Sequence, residues 1–141
     1  MTMNLIPGVE STGSALSAEK IRLEVIAQNI ANSNTTQDAS GKVYQRKEVA
    51  FEEFIKNPSR RTPGYVDENL YQGVRVVDVY DDQTPGRMIF NPGHPHANKD
   101  GMVEMPNVDV SREMIDLISA SRAYEANLSV VKTSRRMAQQ A

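Results

Sequence analysis

The sequence predicts an α+β chain: N- and C-terminal helices paired as a coiled-coil-like arm, with a small β-rich, loop-rich insertion between them. Three observations predict it. Residues 107–141 contain neither Gly nor Pro and repeat apolar side chains at alternating spacings of four and three. Residues 1–32 repeat apolar positions every seven residues. Residues 33–106 hold all three Phe, four of the five Tyr and six of the seven Pro, the turn-punctuated texture of short strands. The expected division is therefore 1–32 as an N-terminal helical arm, 33–106 as a β-rich middle domain, and 107–141 as a long C-terminal helix.

In the N-terminal arm, Val9, Leu16, Leu23 and Ile30 recur at a spacing of seven, with Ile26 and Ala27 filling in. Ser11, Thr12 and Ser14 offer caps, so the spacing predicts a helix from about Ser11 to Asn32. The polar run Asn29–Thr35 supplies a turn-favouring exit. Asn29, Asn32 and Asn34 have two readings: amides that cap and end the helix, or amides that bond a neighbouring subunit.

In the middle, Val43–Phe51 is a first strand candidate. Val74–Tyr80 alternates better, with Val74, Val76 and Asp78 on one face and Val77 and Val79 on the other. Arg87–Phe90 and Met102–Met105 are short candidates, and Pro58, Pro63–Gly64, Pro85–Gly86 and Pro92–Gly93 mark turns. The expected product is a small antiparallel sheet.

In the C-terminal helix, the seam runs Val110, Met114, Leu117, Ser121, Tyr124, Leu128, Val131, Arg135, Ala138, and seven of these nine are apolar or aromatic. A 4-3 pattern held this long is a coiled-coil signature. Ile115, Ile118, Val130 and Met137 widen the stripe. Asp109 is the expected N-cap, and Lys132, Arg135 and Arg136 suit the negative end of the helix dipole. Leu16, Leu23, Ile26 and Ile30 are expected to pack on Leu117, Tyr124, Leu128 and Val131. With Asn29, Asn32, Asn34, Val110 and Met114 they form the candidate assembly interface.

Composition excludes most alternatives. Leu, Ile, Val and Phe number 31 of 141 residues, enough to fold but only around a modest core. A net charge of −2 argues against electrostatic nucleic-acid binding. Zero Cys excludes disulfides, thiolate metal sites and cysteine catalysis. No stretch reaches the 18 or so apolar residues of a membrane span, and Met1–Pro7 lacks a basic start and long apolar core, so no cleaved signal peptide is expected.

Chemistry is equally sparse. His94-Pro95-His96 with Asp100 nearby lacks a third strong metal ligand. Asp81–Asp82 beside Asp78 lacks the Gly and Glu placement of a calcium loop, and Arg60–Arg61 reads as an exposed loop pair. There is no nucleophile elbow and no Gly-rich phosphate loop. No enzyme, cofactor or small-molecule substrate is expected.

Several stretches nevertheless match a known pattern. Ser14–Ala18 followed by Arg22–Thr35, the run Phe90–Ala97, the run Gly101–Asp109 and the helix Glu113–Asn127 together resemble the bacterial flagellar axial proteins. The Asn-Ile-Ala-Asn exit at 29–32 is shared by rod, hook and hook-associated members. The Pro92-Gly93-His94-Pro95 and Pro106-Asn107-Val108-Asp109 pair, in so short a chain, is similar to the proximal rod proteins of the FlgC type. The resemblance implies a structural subunit of the flagellar basal body. It would be exported by the flagellar type III apparatus without a cleaved signal and would self-assemble helically in the periplasmic rod, drive shaft and export channel at once. The implied partners are itself, other flagellar rod proteins, the export gate and basal-body ring components. The alternative left by the residues alone is a soluble helical adaptor for an unrelated partner.

Overall fold

The computed structural model describes residues 6–56 and 71–140. Pro58, the Arg60–Arg61 pair and the Pro63–Gly64 turn lie outside the described residues. Two helices flank four strands. The order is α1 (Ile6–Ala31), β1 (Lys47–Lys56), β2 (Tyr71–Asp81), β3 (Met88–Phe90), β4 (Met102–Glu104) and α2 (Val110–Gln140). No helix among them is long and apolar enough to cross a membrane.

α1 spans 26 residues and α2 spans 31, or roughly 39 and 46 Å at 1.5 Å per residue. They pack on each other. The last turn of α1 meets the first turn of α2 at Asn29 and Glu113, so the helices run antiparallel. α2 begins where its cap was expected: Asp109 Oδ1 accepts from the amides of Ser111 (3.0 Å) and Arg112 (3.4 Å). α1 begins earlier than expected, with Pro7 in its first turn, where a missing amide costs nothing. Gly8 and Gly13 lie inside it, and the hydroxyls of Thr12, Ser14 and Ser17 donate back to the carbonyls of Gly8, Ser11 and Gly13. These residues do not favour a helix by themselves, so packing on α2 and the hairpin decides the matter.

β1 and β2 form an antiparallel hairpin that lies along α1. β1 is displaced toward the C-terminus from the expected Val43–Phe51. The expected alternation of β2 also fails. A bulge leaves Val77 without a partner between Asp78, opposite Ala50, and Val76, opposite Phe51. Val79, Val76 and Val74 thus oppose Val49, Phe51 and Glu53 and share one face, because one extra residue resets the two-residue period. β3 and β4 make a second, three-residue antiparallel pair, in register Met88 to Glu104 and Phe90 to Met102. The expected turn at Pro85–Gly86 does not form; Gly86 instead runs so close to Met105 that any Cβ would overlap its carbonyl.

Buried apolar residues are few among those described: Ala18, Val25, Ile26, Val103 and Ala120. The most completely buried large side chains are polar, Glu113 and Asn29.

Candidate assembly interface

The site has two parts, a buried polar junction and an exposed helix face. The junction forms where α1, β1 and α2 meet. Asn29, in the last turn of α1, uses its whole amide. Oδ1 accepts from the Lys47 amide (2.9 Å) and the Tyr44 hydroxyl (3.0 Å). Nδ2 donates to the Lys47 carbonyl (2.9 Å) and to Glu113 Oε2 (3.2 Å). The amide therefore sits on the outer edge of β1 as a neighbouring strand would. Glu113, in the first turn of α2, has 0% exposure and Asn29 1%. The other oxygen of Glu113 accepts from Arg46 Nε, and Arg46 Nη1 reaches Glu48. Asp116 lies 3.8 Å from Arg46 Nη2. Burial works against the Arg46 charge, but the Glu113 and Glu48 carboxylates more than offset it and raise its pKa. Burial, followed by the charges of Asp81 and Glu113, holds the Tyr44 phenol above its ordinary value. A cleft of about 310 Å³ opens beside this junction, floored by Val25, Ile26, Val49 and Phe51.

The amides Asn32 and Asn34 are placed differently. Asn32 closes the helix end, donating to the Gln28 carbonyl (2.9 Å) and accepting from Thr35 Oγ1 (3.2 Å). Asn34 is exposed beside the start of α2.

On α2 the buried side follows Glu113, Leu117, Ala120, Tyr124, Asn127, Val131 and Ser134, all buried or half-buried. This is a 4-3 seam, and it shares Leu117, Tyr124 and Val131 with the expected one. Ser121 and Leu128 flank it half-buried, whereas Val110 and Met114 are exposed. On α1 the buried positions are Ala18, Val25, Ile26 and Asn29, with Leu16, Leu23 and Ile30 half-buried beside them. Small residues, Ala18 and Ala120, hold central places that the sequence reading gave to leucines.

The opposite side of α2 carries exposed apolar residues. Ile115 is 66% exposed and Ile118 55%, and Val130 and Met137 are also exposed. At 100° per residue, Ile115, Ile118, Ala126, Val130 and Met137 fall roughly 140–260° from Glu113. The charged residues on that arc are Arg112, Arg122 and Arg136, with no carboxylate among them. The exposed face of α1 offers Ile21 and Ala27 with Glu10, Glu24 and Lys20, whose Nζ lies 3.8 Å from Glu24.

The two histidines take structural roles. His96 Nδ1 lies 2.8 Å from Thr36 Oγ1, and His94 Nδ1 accepts from the His96 amide (3.1 Å). Among the described residues no three potential ligand side chains converge on a metal-sized site.

Two family models match the chain: "Flagella basal body rod protein" over residues 10–37, and "Flagellar basal body rod FlgEFG protein C-terminal" over residues 99–141. The "Flagellar basal-body rod protein FlgC" of Yersinia enterocolitica is 41% identical across 94% of this chain and 92% of its own length. Those of Borreliella burgdorferi and Bacillus subtilis are 38% and 32% identical, each across 96% of this chain and 93% and 94% of their own. The chain belongs to the FlgC-type flagellar basal-body rod proteins. The two matched stretches contain most of the helix pair. Asn29 falls within one match and Glu113 within the other.

Proposed function

We propose that this rod protein is a structural subunit that builds the flagellar proximal rod by packing the outer face of α2 on a neighbouring copy. One observation carries the proposal: four large apolar residues on the outer arc of α2, Ile115, Ile118, Val130 and Met137, face water although the helix pair is already formed. A soluble monomer gains nothing from such a stripe, and a neighbour would cover it. Charge suggests which face covers it. The arc on α2 holds arginines and no carboxylate, while the exposed face of α1 holds Ile21 with Glu10, Glu24 and Lys20, a net charge of −1 in which Lys20 already lies 3.8 Å from Glu24. Packing α2 of one copy on α1 of the next joins two different surfaces. Contacts of that kind continue rather than close, and they generate helical tubes.

On this reading the rod proteins beside the subunit are both its own copies and other rod components. The subunit sits in the periplasmic span between the export gate and ring components and the more distal rod, and it is exported without a cleaved signal. The 1–32 and 107–141 arms form the inner layer and the 33–106 insertion the outer one. No catalytic step is assigned to it.

The test is an Ile115→Asp/Ile118→Asp variant, followed by immunoblotting of purified basal bodies and by motility. Exposed substitutions of this kind change subunit stability by roughly 0.5 kcal/mol or less. Loss of the chain from basal bodies with normal cellular levels is the expected result. Wild-type incorporation and swimming would refute the proposal.

A further inference from the structure

Among the described residues, two hydrogen-bonded contacts tie the hairpin to α1 at its opposite ends, beside the packing of α1 on both strands. At its far end, the Val74 amide donates to Ser14 Oγ (3.1 Å), where buried Gly73 lets β2 come close. At its base, Asn29 bonds both backbone groups of Lys47, and Arg46, one residue before β1, bonds Glu113. The far contact involves α1 alone. The base contact is complete only when α1 and α2 are paired in this register, because Glu113 belongs to α2 and Asn29 to α1.

From this junction we infer a coupling device: the Asn29–Arg46–Glu113 cluster fixes the angle of the β hairpin only once the two helices have paired. Asn29 has no spare hydrogen-bonding position. A slip of α1 by one turn would strand Glu113 Oε2 and both Lys47 backbone groups at once, so the junction is made in one register or not at all. Buried ion pairs add little net stability over apolar side chains of similar size, and their best-attested use is to specify one arrangement. Within the rod reading, on which its biological use rests, the device lines up the outer insertion when the inner helices seat.

The chain has no cysteine, so one engineered pair forms its disulfide without a competing thiol in the same chain. An ideal Cβ on Gly73 falls 2.8 Å from Ser14 Oγ but also 2.9 Å from the Phe54 ring, so a Ser14→Cys/Gly73→Cys pair carries Phe54→Leu to make room, and its disulfide takes the place of the Val74–Ser14 hydrogen bond. Cross-linking of that pair is read in purified basal bodies with the junction intact, with Arg46→Met/Glu113→Leu, and with Arg46→Lys, which keeps the charge and loses the planar fork. The expected result is that both junction variants enter basal bodies while cross-linking falls at least fivefold. Undiminished cross-linking in incorporated variants would overturn the inference. So would absence of both variants from basal bodies, because the cluster would then create the helix pairing rather than respond to it. If the wild-type chain itself is missing from basal bodies, the rod reading fails. The junction is then judged by the same cross-link in the purified full chain.

Discussion

At the residue scale, a few polar side chains decide how the elements meet. Asn29 does the work of a strand for β1 and of a partner for Glu113. Tyr44 completes it, and its raised pKa gives a testable sign. The neutral phenol donates to Asn29, so its contribution is fully present below the unfolded value of about 10 and is lost as pH rises through the higher folded value. Helicity should therefore fall above pH 10 in the wild-type chain, and less steeply in Tyr44→Phe. Identical profiles by circular dichroism would contradict this. The sequence offers two readings of Asn29, an amide that ends the helix or one that bonds a neighbouring subunit, but within the chain its side chain goes instead to Tyr44, Lys47 and Glu113. Glu113 was not visible as a junction residue. An acid in a first helical turn reads as a dipole partner, and its burial depends on Arg46, 67 residues away. Nothing local carries that information.

At the element scale, the C-terminal helix, its cap and the existence of each strand could be read directly, since cap chemistry and turn residues act over a few positions. The rotation of α2 could not. Its apolar residues cover more than one face, and both the expected seam and the observed one pass through Leu117, Tyr124 and Val131. Which face meets α1 depends on small residues that allow close approach, Ala120 above all. Enlarging Ala120 to Leu should cost about 1–3 kcal/mol by overpacking the pair. Ala126→Leu, on the exposed arc, should leave the pair intact. Comparing thermal melts of the two variants checks this, and equal midpoints would refute the assigned rotation. The bulge at Val77 was hidden for a related reason: the run of valines fits either face, and only pairing with β1 shows where the period breaks.

At the scale of the whole molecule, the apolar content is spread along two long arms instead of gathered into one core. Among the described residues fifteen large apolar side chains are exposed and only five apolar residues are buried. Few buried apolar residues support the helices from within, and α1 carries two glycines in its first half. The isolated subunit should therefore hold its arms weakly and complete their burial against neighbours. Amide hydrogen exchange across residues 110–138, in a verified monomer and in purified basal bodies, tests this most directly. Rapid exchange in the monomer with strong protection in the basal body is the predicted result. Strong protection along the whole segment in the monomer would contradict the account.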